Sequence, residues 1–207
     1  LFSRKNRCAF MESFSPLNCI GVIIDGNRRW ARNKNLLPQE GHQAGYEKMK
    51  EFLPWCKEAG ISYVIIYALS TENLKRTPQE VAYLFGLITR LLKDDLPELK
   101  KQGIRLSVMG SLERIPRALR ALLAAGEAET KAYDQLHLCL GIAYGGRDEI
   151  ISAVNHLMRD HDQFPQGINH EIFSRYLWTR DIPDPDLIIR TSGEMRLSNF
   201  LPWQSSY

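Results

Sequence analysis

Five short runs along the chain are apolar almost without interruption, at residues 20–24, 63–69, 104–109, 136–142 and 187–189. Runs of this length that lack an alternating polar face are what strands buried on both sides look like. Between them the period changes. From 45 to 59, Met49, Phe52, Leu53 and Cys56 recur at helical spacing, and Gly60 stands where a helix would stop. Thr77-Pro78-Gln79-Glu80 combines a capping box with proline in the first turn, and Val81, Leu84, Phe85, Ile88, Leu91 and Leu92 then share one face. Further helices are expected over 116–132, 147–158 and 171–178. Strands alternating with helices predict an α/β fold, a mainly parallel sheet flanked by helices. There is no internal repeat and no low-complexity segment.

Composition narrows this to one soluble-type domain: 207 residues with 44% hydrophobic and 25% charged side chains can bury a single sizeable core. The net charge of +3 and a pI near 8.7 suit small anionic partners. The longest basic concentration, Arg28 to Lys34, is too short for a nucleic-acid face, so no nucleic-acid partner is expected. Cys8, Cys19, Cys56 and Cys139 are scattered, without zinc or disulfide spacing, which fits a reducing cytoplasm. No run is long and apolar enough for a transmembrane segment. Residues 1–16 read as a disordered or non-native leader, and 17–207 as the single domain.

Three polar clusters each follow a strand-like run, and in open α/β sheets the ligand crevice lies outside the carboxyl ends of the strands. They are therefore expected to meet. In the first, Asp25-Gly26-Asn27-Arg28-Arg29-Trp30, the glycine lets backbone approach a ligand, a helix start attracts oxyanions, and the arginines add phosphate donors. Asp25 alone is a poor metal site but is suited to share Mg²⁺ with diphosphate oxygens. The same turn also reads as a helix cap with solvated arginines. The second cluster, Ser70, Thr71, Glu72 and Asn73 with Arg76, reads equally as a capped loop. The third holds Arg190, Arg196, Leu197 and Ser198, several phosphate donors in one short segment, or a structural ion-pair network. His42, just ahead of a helix, has either a polar helix-start role or a catalytic one. His137, His156, His161 and His170 carry no ligand spacing. Nucleophile elbows, P-loops and dinucleotide loops are absent from the sequence, which points away from hydrolases, P-loop kinases and dinucleotide enzymes.

These residues resemble a known family. VIIDGNRRWA (22–31), GHQAG (41–45), YALSTENLKR (67–76), YGGR (144–147) and DLIIRTSGEMRLSNFLPWQ (186–204) look like the ordered motif set of cis-prenyltransferases, which include undecaprenyl and dehydrodolichyl diphosphate synthases. The resemblance implies a parallel sheet flanked by helices and an apolar tunnel for the growing chain. It also implies a Mg²⁺-dependent enzyme that condenses isopentenyl diphosphate with an allylic diphosphate, farnesyl or geranylgeranyl diphosphate. A homodimer is the assembly it implies for a complete chain, with peripheral membrane contact during product release. On this likeness Asp25 is the metal-linked catalytic carboxylate, Gly26, Asn27, Arg28 and Arg29 cradle the allylic diphosphate, and Trp30 walls the site. His42, Ser70, Thr71, Glu72 and Asn73 sit around the condensing end, with Asn73 a candidate for proton acceptance. Arg190, Arg196, Leu197 and Ser198 form the isopentenyl diphosphate clamp, supported by Arg76.

The pattern is broken at Pro38, where the family often has arginine, at Leu74, where an aromatic is common, and at Met195, where some bacterial members have histidine. Tyr46 is bulky for a position near the tunnel mouth. A trans-prenyltransferase, hinted at by Asp94-Asp95-Leu96-Pro97-Glu98, would be all-helical with two aspartate-rich segments, and this chain has strand-like runs and one imperfect copy. The alternative of another class is a non-catalytic partner subunit of a heteromeric cis-prenyltransferase. The family likeness also implies further sequence after Gln204, so the chain reads as truncated, with apolar surface around Phe200, Leu201 and Trp203 left uncovered.

Overall fold

The computed structural model describes residues 17–206. The expectation for residues 1–16 lies outside them. Five strands form one sheet: β1 (Cys19–Ile23), β2 (Tyr63–Ser70), β3 (Ile104–Met109), β4 (Leu136–Tyr144) and β5 (Leu187–Arg190). Their order is β3-β4-β2-β1-β5 and every pairing is parallel. All five expected strands are found, each within two residues of its expected bounds. All nine residues of β4 are buried, which is why that run shows no polar alternation.

The helices are α1 (Asn27–Asn33), α2 (Pro38–Glu58), α3 (Pro78–Arg90), α4 (Leu96–Lys101), α5 (Arg117–Thr130), α6 (Gly146–Arg159) and α7 (His170–Ser174). Side chains of alternate strand residues feed two cores. Ile20, Val22, Val64 and Ile66 meet α2, α3, α4 and α5 on one face. Cys19, Ile23, Ile65 and Tyr67 meet Phe200, Leu201 and Trp178 on the other.

Three helix bounds depart from expectation, each for a local reason. Helix α2 starts at Pro38, seven residues before the periodic stretch, because proline at the first position is pre-set for a helix and Glu40 reaches back to the Leu37 N–H at 2.8 Å. His42 is thus inside the helix, and Pro38 is its first residue. Helix α3 runs on through a π-turn, Leu91–Asp95, into α4. Pro97 lacks an N–H and crowds the preceding turn, and the wider turn ahead of it accommodates the ring. The helix expected at 171–178 is only α7, because the Trp178 and Thr179 N–H groups turn away to the buried Glu149 carboxylate at 2.9 and 3.3 Å.

The expectation of uncovered surface at 200–203 is corrected. Phe200 and Leu201 are fully buried, and the Phe200 ring stacks on Tyr67 at 4.8 Å. Trp203 packs against Phe173 at 4.4 Å.

Candidate active site

Strand β1 ends in a turn whose Gly26 adopts φ 95°, a left-handed conformation that a side chain would strain, and α1 begins at the next residue. The GHQAG segment fits this turn by close approach. A Cβ on Gly41 would stand 2.1 Å from the Asn27 carbonyl oxygen, so α2 can lie this close to α1 only with glycine there, and one on Gly45 would stand 2.5 Å from the Asn27 side chain and displace it.

Asp25 lies at the carboxyl end of β1 beside that of β5. Its Oδ2 accepts from Arg190 Nε at 3.1 Å, Arg190 Nη2 at 2.8 Å and Ser192 Oγ at 2.7 Å, and Oδ1 accepts from the Gly26 N–H at 2.7 Å. Burial alone would raise this carboxyl, but Ser192, Arg190 and Gly26 outweigh it and hold it down at about 2. It is an anion at any working pH. Arg190 also donates to Ser198 Oγ at 2.8 Å and to the Arg196 carbonyl, which ties the first cluster to the third. Arg29 bridges the same two clusters, 3.6 Å from Asp25 and 3.5 Å from Glu194.

The second cluster folds on itself: Ser70 N–H donates to Asn73 Oδ1 at 3.1 Å, and Asn73 N–H to Ser70 Oγ at 3.0 Å. Thr71 is buried, with its N–H on the Tyr144 carbonyl and its hydroxyl donating to Glu72. Asn199 donates to Glu72 at 3.3 Å and accepts from the Arg147 N–H at 2.9 Å, so the YGGR turn joins the same place. Asp25, Tyr67, Ser70, Glu72, Asn73, Arg76, Arg147, Arg190, Ser198 and Asn199 line one polar pocket. The expected meeting of the three clusters is what the structure shows.

Two of the clamp residues are not there. Arg196 is 64% exposed and pairs with Glu194, and neither it nor Leu197 lines the pocket. Both follow the glycine at 193, where the loop swings into solvent. Trp30 is half-exposed on the outer side of α1, under the Lys34 ammonium at 4.8 Å, and lines a second apolar groove beside Trp55.

Sequence reasoning missed Glu80. Its Oε1 receives Arg76 at 2.7 Å, His42 Nε2 at 3.2 Å and Arg28 at 3.9 Å, gathering two guanidinium groups from two clusters and an imidazole from α2. Burial would raise Glu80; His42, Arg76 and Arg28 keep it below the ordinary carboxylate range. The capping-box pattern concealed this role. Thr77 does accept from the Glu80 N–H at 3.4 Å, but the glutamate carboxylate is taken by the site. Burial lowers His42, despite the opposing pull of Glu80, so its imidazole is neutral at pH 7. Ser192 and Asn199 were also missed as individual residues, though both lie in a segment the sequence marks.

An apolar cleft opens from this polar mouth. It passes from Asp25, Arg28 and Arg29 to Met49, Leu84, Leu87, Ile88, Leu91 and Leu140, between α2 and α3. Among the described residues no three acidic, histidine or cysteine side chains cluster as a metal site. A cation there would need oxygens from a ligand besides Asp25, and Mg²⁺ accepts such a shared shell of one carboxylate, phosphate and water. The donor set therefore fits Mg²⁺ with an anionic ligand and not Mg²⁺ alone.

The comparisons agree with this geometry. The family described as putative undecaprenyl diphosphate synthase matches residues 23–207. A tritrans,polycis-undecaprenyl-diphosphate synthase (geranylgeranyl-diphosphate specific) of Thermoplasma acidophilum is 46% identical, over 91% of this chain and 75% of the relative. An isoprenyl transferase of Thermotoga maritima is 40% identical, over 91% and 81%. Among solved structures, lavandulyl diphosphate synthase from Lavandula x intermedia, crystallised with dimethylallyl diphosphate, superposes with a TM-score of 0.87 at 35% identity, covering 91% of this chain and 83% of that one. With its motifs converging on one polar mouth over an apolar cleft, and with relatives of this identity and coverage, the chain belongs to the cis-prenyltransferase family.

Proposed function

We propose that the chain condenses isopentenyl diphosphate with an allylic diphosphate, farnesyl or geranylgeranyl diphosphate, to give a cis-polyprenyl diphosphate and free diphosphate. The observation that carries this is the junction of two unlike environments: anion donors from three clusters at the mouth, and an apolar cleft directly behind them. A diphosphate head on a hydrocarbon tail matches both. A relative named for geranylgeranyl diphosphate supports the longer starter.

In this reading the backbone at Gly26 and Asn27, with Arg28 and Arg29, binds the allylic diphosphate at the start of α1. Asp25 would hold Mg²⁺, which when bound neutralises the leaving diphosphate. The second diphosphate lies in the pocket lined by Arg76, Arg147, Arg190 and Ser198, and Arg196 and Leu197, which stand outside that lining, would join it only if their exposed loop folds inward over the ligand. The C1–O bond of the allylic substrate breaks and its electron pair leaves with diphosphate. The isopentenyl double bond then supplies the pair for the new bond to C1, and a proton leaves C2. Asn73 guides that proton; the released diphosphate, a far stronger base than a carboxamide, is its final acceptor. Fixing both substrates makes the new double bond cis, so catalysis rests on positioning and electrostatics. Ser70 holds Asn73 in place, with Thr71 bonded to Glu72 beside it, and Glu80 holds His42 and Arg76.

A homodimer, a cytoplasmic setting and peripheral membrane contact during release belong to the same reading. No helix among the described residues is long and apolar enough to cross a membrane. A non-catalytic partner subunit would be expected to lose the Asp-Gly-Asn turn and the clamp, and this chain keeps both. The test is diphosphate release on mixing both substrates with Mg²⁺. Release that needs both substrates and stops with chelator supports the proposal; none at any substrate or Mg²⁺ concentration overturns it.

A further inference from the structure

Among the described residues five arginines line the polar mouth and its pocket, and four of them are already paired. Arg28 and Arg76 both reach Glu80, at 3.9 and 2.7 Å. Arg29 stands between Asp25 and Glu194, at 3.6 and 3.5 Å, and Arg190 holds Asp25 at 2.8 Å. Arg147 is the fifth. It lines the same pocket as Arg76 and Arg190, is exposed, and makes no ion pair among the described residues. That lining holds two carboxylates, Asp25 and Glu72, against the three guanidinium groups of Arg76, Arg147 and Arg190, so Arg147 decides whether the pocket is net positive.

The Tyr-Gly-Gly-Arg turn is built to present this side chain. Strand β4 ends at Tyr144 and α6 starts at Gly146. A Cβ on Gly146 would stand 2.0 Å from the Pro202 ring, so the helix start seats against this segment only with glycine there. Asn199 then caps the helix from a distant part of the chain. Its carbonyl accepts the Gly146 N–H at 2.8 Å, its Oδ1 accepts the Arg147 N–H at 2.9 Å, and its Nδ2 donates to Glu72 at 3.3 Å. Asn199 has φ 67°, a left-handed conformation that asparagine adopts more readily than most side chains. The two acids that follow Arg147 do not answer its charge. Asp148 turns to Arg114 at 3.1 Å, and Glu149 is buried against the Tyr144 hydroxyl at 2.6 Å.

We propose that Arg147, held at the pocket by Asn199, is the uncommitted guanidinium that receives the diphosphate of the second, isopentenyl substrate. The proposal rests on the prenyl diphosphate reading above and singles out, within that pocket, the residue that supplies its free charge. A guanidinium with no carboxylate to release binds phosphate without first breaking a pair, and its planar fork matches two phosphate oxygens. Arg147 touches the ligand, and Asn199 is a positioning residue that acts through it.

The experiment measures binding to the full chain by calorimetry, of isopentenyl diphosphate alone and, separately, of farnesyl thiodiphosphate alone. Arg147→Ala should weaken isopentenyl diphosphate by about tenfold or more and farnesyl thiodiphosphate by less than about threefold. Arg147→Lys keeps the charge but loses the fork, and should fall between wild type and Arg147→Ala. The side chain has no ion-pair partner to lose, so thermal midpoints should stay within about 2 °C of wild type, which separates this role from a structural one. In an Asn199→Ala background, Arg147→Ala should cost only about threefold or less, because the side chain is no longer held in place. In steady state the isopentenyl KM should rise and the allylic KM should hold. Undiminished isopentenyl diphosphate binding by Arg147→Ala, or a larger loss of farnesyl thiodiphosphate, would overturn the proposal. A full-sized loss in the Asn199→Ala background would overturn the positioning role. Wild-type binding of neither probe would overturn the prenyl diphosphate reading, and this inference with it. Both probes bound, and weakened by Arg147→Ala as expected, but without turnover in the wild type, would refute only catalysis and would support the inference.

Discussion

Asp25→Asn keeps the shape of the side chain and removes its charge, so it isolates what the carboxylate does. Its partners are Arg190 at 2.8 and 3.1 Å, Ser192 at 2.7 Å and the Gly26 N–H at 2.7 Å. Burial opposes the charge, yet the hydrogen bonds from Ser192, Arg190 and Gly26 leave the carboxyl at about 2, against an ordinary 3.8. Because the folded value is depressed, the stabilisation is present above about pH 4 and is lost as pH falls toward 2. The full equivalent of that difference is about 2.5 kcal/mol. The side chain is 32% exposed. Solvent screening therefore reduces the expectation to about 1–1.5 kcal/mol at pH 7, with close to half of it gone by pH 3. Urea denaturation of wild type and Asp25→Asn from pH 7 to pH 3 reads this directly, as a stability gap that narrows with acid. A gap that is absent at pH 7, or that stays constant across the range, would refute the electrostatic account. The same variant should lose about 100-fold or more in kcat while folded at pH 7, as removal of a charge-stabilising group from a reacting centre does.

Other expectations follow from packing. Gly41→Ala places a Cβ 2.1 Å from the Asn27 carbonyl oxygen. The backbone must shift, so a loss of about 1–3 kcal/mol and a raised allylic KM are expected from denaturation and steady-state kinetics. Gly86, on α3 with nothing within 4 Å of an added Cβ, is the control: Gly86→Ala should raise stability by about 0.4–1 kcal/mol. Arg196→Ala, at an exposed pair with Glu194, should change stability by less than about 0.5 kcal/mol. It should mainly raise the isopentenyl diphosphate KM, and a larger rise in the allylic KM would contradict the clamp assignment. Glu149→Leu strands donors from Tyr144, Trp178, Thr179 and Gln204. A loss of about 3 kcal/mol or more is expected in the same denaturation assay.

The sheet was legible because its central strands, β1, β2 and β4, are buried on both faces. A strand in that setting needs a nearly unbroken apolar run, and runs such as 63–69 and 136–142 have no other economical reading. The clusters were legible for a related reason: a parallel sheet sends every strand's carboxyl end the same way, so polar residues after β1, β2 and β5 had to converge. Chain order therefore determined the fold class, the place of the site and the presence of Asp25, Arg28, Asn73 and Arg190 in it.

What side chains do once there was not determined by local sequence. Glu80 reads as half of a capping box, and only the approach of α2 brings His42 to its carboxylate. Arg190 reads as a phosphate donor or as part of an ion-pair network with no partner named, and only the neighbouring of β1 and β5 gives it Asp25 to hold. Asp95 looks like part of a solvated acidic run until the π-turn and α2 surround it with Lys50 and Tyr46. Phe200 and Leu201, expected at a bare surface, fill the second core because the chain folds back under the sheet, where residues distant in sequence cover them. In each case periodicity records which residues face inward, whereas partners more than a helix away are set by packing, which leaves no period along the chain.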